Sequence, residues 1–272
     1  MRVIGRFLPI LAVAVSVCAA AQPAAADNVD LELVLAVDVS RSIDDAEYDL
    51  QRKGYAAALS DPRVVKAMLS GDAGRIALSY FEWSGEGSQQ LILDWTVIHD
   101  AASAAHAAAQ ILAAPRPFAN RTSIGVAIGF ATALLARSPH HAPRRIIDVS
   151  GDGTNTNGIE PSAARATAVA QGITINGLVI NNPNEMPWMS WHTHPPGGLD
   201  AYYQQNVAGG PGAFVMKVDN FESFSTAIID KLVREIADAA PLLPSVAGHP
   251  AGLAETKYPA GNVFTGAVHP RM

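Results

Sequence analysis

Three oxygen-bearing side chains follow a short apolar run near the N-terminus, two residues apart. Residues 31 to 37 are apolar except for Glu32, and Asp38, Ser40 and Ser42 come directly after them. One carboxylate and two hydroxyls are hard oxygen donors, which suit Mg²⁺, Mn²⁺ or Ca²⁺ better than zinc. The spacing therefore predicts part of a site for a hard divalent cation.

The apolar run itself predicts where this site lies in the fold. A short, nearly uncharged run is typical of a strand that is buried on both faces, as in a parallel sheet covered by helices. Ligands of open α/β sheets bind just beyond the carboxyl ends of the strands. We therefore expect Asp38, Ser40 and Ser42 at the ligand-binding edge of a sheet.

The segment from Asp38 to Ser42 resembles the Asp-x-Ser-x-Ser signature of the von Willebrand factor type A domain family. The cation site of that family is called the metal-ion-dependent adhesion site. Thr122, at the start of a predicted helix, matches the family's threonine loop. Asp152, in a Gly/Asn-rich loop after a buried strand, matches its aspartate loop. The resemblance covers about residues 31 to 238 and implies the metal ligands Asp38, Ser40, Ser42, Thr122 and Asp152.

The resemblance also implies a function and a cofactor. It implies a divalent-cation-dependent module that captures an Asp or Glu of a partner protein through Mg²⁺, with Mn²⁺ or Ca²⁺ as other choices. It further suggests that the last helix can shift when a ligand binds. The segments around Asp38 and Asp152 are similar to those of an exported bacterial group that carries this domain and has no firmly assigned activity.

The donor types make physical sense for such a role. Mg²⁺ requires octahedral oxygen coordination and keeps several waters. If the neutral hydroxyls of Ser40, Ser42 and Thr122 contact the ion directly, and the two aspartates act mostly through water, the ion keeps much of its charge. It then has an open position that attracts an outside carboxylate.

Each of these residues also has a simpler interpretation. Ser42 could cap a helix predicted over residues 44–59, because Ser-x-x-Asp resembles a capping box. Thr122 could be only an N-cap, and Asp152-Gly153 an ordinary turn. Asp148 lies inside a predicted strand, where it could orient a metal ligand from behind or face solvent.

The pattern of elements predicts an α/β fold with a doubly wound, mostly parallel sheet and helices on both faces. Two strands separated by a Gly-rich turn predict a hairpin, and hence one antiparallel strand. We expect further strands at residues 144–149, 173–180 and 213–218. Helices are predicted at residues 44–59, 100–114, 122–136, 161–170 and 221–236, with a short one after Asp61-Pro62.

The N-terminus predicts export and sets the domain boundaries. Two arginines precede an apolar stretch and then Ala24-Ala25-Ala26, which is the pattern of a secretory signal peptide. We expect a signal peptide over 1–26, the von Willebrand factor type A-like domain over 27–240, and a mobile tail over 241–272. The protein would then be periplasmic or secreted. No later stretch is long and apolar enough to span a membrane.

Composition and missing motifs limit the other function classes. The chain has 272 residues, a formal net charge of −6 and no basic cluster, so nucleic acid is not an expected partner. A haloacid dehalogenase-type phosphatase needs an acid where Ser40 stands. An enzyme is therefore not expected. A phosphatase-like, metal-dependent hydrolase and a structural assembly protein with a vestigial metal site are the alternatives, and the oligomeric state stays open.

The segment from residue 181 to 211 is an insertion between the last two predicted strands. It contains Trp188, Trp191, His192 and His194. The aromatic side chains could form a surface for a partner or pack as a lid over apolar residues. The two histidines have no third ligand nearby in the sequence, which argues against a transition-metal site.

Overall fold

The computed structural model describes residues 27–181 and 190–237. The predicted signal peptide, the predicted tail and Trp188 lie outside the described residues. Among the residues described, no helix combines the length and the apolar character needed to cross a bilayer.

The described residues form one six-stranded sheet with the order β3-β2-β1-β4-β5-β6. All neighbouring strands are parallel except β2 and β3, which form the predicted hairpin. The predicted α/β fold class is confirmed. The strands are β1 (Glu32–Asp38), β2 (Ile76–Trp83), β3 (Gln89–Ile98), β4 (Arg145–Gly151), β5 (Thr174–Ile180) and β6 (Val215–Val218).

Helices cover both faces of the sheet. The buried side chains form two clusters, one on the face of α1, α2, α3 and α8, the other on the face of α4, α5 and α7. The helices are α1 (Asp45–Ser60), α2 (Pro62–Met68), α3 (Ala101–Ala113), α4 (Ile124–Ala136), α5 (Pro161–Ala170), α6 (Ser190–Thr193), α7 (Leu199–Asn206) and α8 (Phe224–Ala237), with a 3-10 turn at Phe221–Ser223.

Strand β1 lies at the centre of the sheet and carries the first candidate ligand at its end. Its side chains alternate between the two clusters, with Leu33 and Leu35 in one and Val34 and Ala36 in the other. Burial on both faces explains why the run has almost no polar residues. The strand ends at Asp38, between the ends of β2 and β4.

Helix α1 is capped by Asp44 rather than by Ser42. The carboxylate of Asp44 accepts a hydrogen bond from the Glu47 backbone N–H at 2.8 Å, and the Glu47 carboxylate accepts one from the Asp44 N–H at 2.9 Å. This reciprocal pair is a capping box. The capping interpretation of Ser42 is therefore wrong, and its hydroxyl is available for another role.

Helix α7 was not predicted. It lies inside the insertion between β5 and β6, flanked by Pro- and Gly-rich sequence that indicates a loop. Leu199, Tyr203 and Val207 recur every four residues and are all buried against the sheet. That spacing is the pattern of an amphipathic helix. The helix is too short for the pattern to stand out in the sequence.

A buried charge cluster joins α8 to the sheet. The ammonium of Lys231 on α8 lies 2.5 Å from Oδ1 of Asp148 on β4 and also contacts Glu235, and all three side chains are buried. Glu235 accepts a further hydrogen bond from Asn176 at 2.8 Å. Burial, and then repulsion by Asp148, raises the pKa of Glu235 to about 7. Asp148 therefore does not face solvent; it pairs with the last helix.

Candidate metal site

The loop after β1 is held in a fixed shape by the Asp38 backbone and side chain. The Ser40 N–H donates to Oδ1 of Asp38 at 2.7 Å, and the Gln51 amide donates to the Asp38 carbonyl at 2.9 Å. The hydroxyl oxygens of Ser40 and Ser42 are 3.2 Å apart. Three of the five predicted ligands thus lie together at the end of the central strand.

Asp152 joins this group from the neighbouring strand. Strand β4 pairs with β1 in parallel, with Val37 opposite Ser150, so the residues after both strands meet at one edge. The Ser42 hydroxyl donates to Oδ1 of Asp152 at 2.6 Å. Gly151 allows this approach, because a Cβ there would lie 2.9 Å from Oδ2 of Asp38. Asp152 is therefore part of the cluster and not only a turn residue.

Thr122, the fifth predicted ligand, lies in the loop before α4. Ser42 and Thr122 both line a cavity of about 200 Å³. The Thr156 N–H donates to the Thr122 carbonyl at 2.8 Å, and the Thr122 N–H donates to the Thr156 hydroxyl at 3.0 Å. Ser123 is the N-cap residue of α4, so the capping interpretation of Thr122 is wrong. The two loops are thereby fixed to each other, and Thr122 is held at the cavity.

His192 is a site residue that the sequence analysis missed. Its Nε2 lies 3.2 Å from the Thr122 hydroxyl, and its Nδ1 lies 3.0 Å from the Thr154 hydroxyl. The residue is only 4% exposed, and burial lowers the pKa of its imidazole to about 4. The imidazole is therefore neutral near pH 7, so one ring nitrogen donates a hydrogen bond and the other accepts one.

This contact can control the direction of the Thr122 oxygen lone pairs. If Nε2 accepts the hydroxyl hydrogen of Thr122, the oxygen of Thr122 stays free to bind a cation, which is the usual role of a group behind a ligand. No local pattern in the sequence predicts this pair, because the two residues are 70 positions apart.

The two aspartates make the cluster strongly acidic and buried. Burial, and then repulsion by Asp152, raises the pKa of Asp38 well above its usual range. Within the part of the chain that the structure describes, Oδ2 of Asp38 has no hydrogen-bond partner. An unpaired buried carboxylate oxygen is costly, so its presence beside a second acid fits a site for a cation.

The donors suit a hard cation rather than a soft one. Across residues 27–181 and 190–237, no three His, Cys, Asp or Glu side chains cluster in a way that would hold a metal ion. The site instead combines the two aspartates with the hydroxyls of Ser40, Ser42 and Thr122. Hydroxyl and carboxylate oxygens are the donors that Mg²⁺ and Mn²⁺ accept.

Solved structures with the same fold include one that is described with a bound metal ion. Proximal thread matrix protein 1 from the mussel byssus, described with a zinc-occupied MIDAS motif, is 15% identical with a TM-score of 0.55, covering 79% of this chain and 49% of that one. The pilus adhesin SpaC from Lactobacillus rhamnosus GG is 12% identical with a TM-score of 0.53, covering 77% and 30%. The chain thus spans about half of the mussel protein and a third of the adhesin. These similarities establish the fold alone.

A von Willebrand factor type A protein from Catenulispora acidiphila is also similar, at 14% identity and a TM-score of 0.46, covering 78% of this chain and 43% of that one. No curated protein sequence matches significantly. At the level of fold, the resemblance predicted from the sequence is confirmed by the mussel protein and the pilus adhesin, whose TM-scores are 0.55 and 0.53. A family model described as "Protein of unknown function (DUF1194)" matches residues 28–240, and the chain therefore belongs to that family.

Proposed function

We propose that this protein is an exported, divalent-cation-dependent binding module that captures an acidic side chain of a partner protein. One observation carries the proposal. Asp38, Ser40, Ser42 and Asp152 are connected by hydrogen bonds and close contacts at the edge of the sheet, and Thr122 lines the same cavity as Ser42.

The five residues would have two roles: the hydroxyls would bind the cation, and the aspartates would balance its charge. The hydroxyls of Ser40, Ser42 and Thr122 would hold the cation, and Asp38 and Asp152 would balance its charge from the buried side. A bound divalent cation would supply an electron-pair acceptor for an outside carboxylate. Because Ser42 and Thr122 line the cavity, the open side of the site is the side that a partner can reach.

The arrangement favours binding over hydrolysis. The residue two positions after Asp38 is Ser40, a buried hydroxyl that cannot replace a carboxylic acid in protonating a leaving group. The buried Lys231 contacts Asp148 and Glu235 instead of Asp38. We therefore favour a binding role, and a structural protein with an inactive site becomes an outcome of the experiment below.

The export part of the proposal depends on the first 26 residues. Their basic, apolar and small-residue order supports a signal peptide cleaved after Ala26. N-terminal sequencing of the protein recovered from periplasmic and culture fractions tests this part, and an N-terminus at Met1 in the mature protein would contradict it.

The binding part is tested with Mn²⁺ and a small carboxylate. Mn²⁺ bound to the full-length protein enhances the relaxation of water protons, and a carboxylate that displaces a bound water lowers that enhancement. We expect N-acetylaspartate methylamide to lower it and the matching asparagine compound to leave it unchanged. Asp38→Asn should lose Mn²⁺ binding, whereas Asp49→Asn, which changes an exposed acid on α1, should not.

Two results would contradict the proposal. Absence of Mn²⁺, Mg²⁺ and Zn²⁺ binding by the wild type would show that the site is inactive. Cation binding without any response to the carboxylate would show that the site does not offer a free position to a partner.

A further inference from the structure

The cavity beside the candidate metal site has features that the cation does not explain. Its lining includes Ser42 and Thr122 of the candidate site and, beyond them, Arg41, Arg121 and Trp191. Its volume of about 200 Å³ is below the range of roughly 300–1,000 Å³ that is typical of small-molecule sites. A cavity of this size suits one or two side chains of a larger partner.

Among the described residues, no carboxylate is paired with either of the two arginines of this cavity. Arg52, Arg63 and Arg116 are paired with carboxylates of the same chain. In the described part of the chain, by contrast, neither Arg41 nor Arg121 has an ion-pair or hydrogen-bond partner for its guanidinium. Both side chains are exposed, and the protein as a whole is acidic.

The two loops that carry these arginines are hydrogen-bonded to each other and to a third turn. The Arg41 N–H donates to the Asn120 carbonyl at 2.9 Å, which fixes the loop after β1 to the loop before α4. The Asn120 amide donates to the Ser88 hydroxyl at 3.0 Å, so the second loop is also held by the β2–β3 turn. The two unpaired charges therefore belong to a fixed surface beside the site.

Trp191 adds an exposed apolar group to the same surface. The residue is 67% exposed, the largest exposed fraction among the exposed large hydrophobic residues in the described regions. The next residue, His192, is buried and contacts two threonines, so the short helix that carries the indole is anchored. Tryptophan and arginine are the residue types that most often dominate the energy of protein interfaces.

We infer that this rim, formed by Arg41, Arg121 and Trp191, selects protein segments with several carboxylates next to an apolar side chain. The inference rests on the proposed function, because one carboxylate binds at the cation. The guanidinium groups then pair with further acidic side chains of the segment, and the indole covers the apolar one. Charge complementarity thus gives the module a preference for acidic clusters over single acids.

Three blocked, fluorescent peptides test this inference by anisotropy, with the Mg²⁺-loaded full-length protein. The first has a single aspartate among glycines, the second has two added glutamates, and the third also has a phenylalanine. We expect each addition to tighten binding to the wild type, and the gain from the glutamates to decrease as salt is raised.

Substitutions show which residues cause the gain in peptide affinity. Arg41→Gln and Arg121→Gln should each weaken binding of the multi-acid peptide by roughly two- to five-fold more than binding of the single-aspartate peptide, as expected for exposed ion pairs. Trp191→Ala should remove the gain from phenylalanine. Arg137→Gln, at the far end of α4, is the matched control and should change nothing.

The outcomes separate the two proposals. If the single-aspartate peptide binds and the added glutamates give no gain, the rim inference is wrong and the proposed function stands. If none of the three peptides binds in a Mg²⁺-dependent way, both the rim inference and the proposed function are wrong. If inorganic phosphate displaces the multi-acid peptide at equal concentration, the arginines form a phosphate site and the inference is overturned.

Discussion

The hydroxyl of Ser42 lies 2.6 Å from a carboxylate oxygen of Asp152, although 110 positions separate the two residues in the chain. The contact joins the ends of the two central strands, β1 and β4, at one edge of the sheet. Because Ser42 is not used as a helix cap, the hydrogen bond is the main interaction of its side chain in the described structure. The same pair would lie beside a bound cation, so its energetics should change when the cation binds.

Asp152→Asn should raise the free energy of unfolding without cation and lower it, relative to the wild type, when cation is present. Asp38 and Asp152 repel each other in the metal-free protein, so removing one charge should raise its free energy of unfolding. The same change should abolish stabilisation by Mg²⁺ or Mn²⁺. That stabilisation is about 2.7 kcal/mol for the wild type at a cation concentration of a hundred times Kd. Urea denaturation with and without cation measures both effects.

Asp49→Asn is the matched control, because it removes one exposed acid whose partner is the equally exposed Lys53. It should leave the cation effect unchanged. A variant Asp152→Asn that is less stable than the wild type without cation, and still stabilised by it, would show that Asp152 has only a structural role.

His192 should affect cation affinity through Thr122. An asparagine amide reaches about as far as Nδ1, and a glutamine amide about as far as Nε2. His192→Asn should therefore keep the contact with Thr154, lose the contact with Thr122, and weaken Mn²⁺ binding about 10- to 100-fold. His192→Gln should retain most of the affinity.

Titration calorimetry with Mn²⁺ measures these affinities, and the melting temperature without cation checks the fold. His194→Ala, at the exposed neighbouring position, is the control. Equal affinities of the Asn and Gln variants would contradict the role assigned to the Thr122 contact.

Substitution of two glycines of α4 by alanine should change the stability of the protein in opposite directions. A Cβ at Gly125 would lie 2.1 Å from the Ile159 carbonyl oxygen, in the loop that follows Asp152, whereas a Cβ at Gly129 would meet open space. Gly125→Ala should destabilise the protein by about 1–3 kcal/mol through overpacking. Gly129→Ala should stabilise it by up to about 1 kcal/mol through helix propensity.

Urea denaturation of both variants measures the difference, and each serves as the control for the other. Because Gly125 packs against the aspartate loop, Gly125→Ala should also weaken Mn²⁺ binding, which Gly129→Ala should not. Equal stabilities of the two variants would show that the loop moves away from α4 at little cost.

Glu235 should produce a pH-dependent stability that Glu235→Gln removes. Its pKa is raised from 4.5 to about 7, so the folded protein keeps a proton that the unfolded chain releases between those values. This component of the free energy of unfolding is complete below pH 4.5 and decreases as pH rises to 7, by up to about 1.4 kcal/mol per pH unit. Above pH 7 it is lost.

Urea denaturation from pH 4.5 to 8 measures this effect as the difference between wild type and variant. Glu235→Gln can still accept the hydrogen bonds of Lys231 and Asn176. Its stability should therefore rise relative to that of the wild type as pH increases. The exposed change Glu86→Gln is the control, and an equal pH dependence in all three proteins would contradict the prediction.

The sheet and most helices could be predicted because their signals are local. The doubly buried run of β1, the hairpin turn and the proline at the start of α5 each lie within a few residues. Helix α7 escaped prediction because its eight residues show only two turns of periodicity among glycines and prolines.

The site could be predicted only in part, for a related reason. Asp38, Ser40 and Ser42 share one loop, and Thr122 and Asp152 were found through the family resemblance. The contacts of His192 with Thr122 and of Lys231 with Asp148 depend on tertiary packing between distant segments. Such pairs leave no spacing signal in a single sequence.

The buried ion pair of Lys231 and Asp148 has a consequence for how this domain can work. Sliding α8 along the sheet would pull the ammonium away from its carboxylate inside the core, and breaking a buried pair costs about 3–5 kcal/mol. A cation and one captured acid would have to supply that energy before the helix moved. Near neutral pH this pair therefore opposes displacement of α8 along the sheet, and any such displacement has to be coupled to a compensating gain elsewhere in the domain.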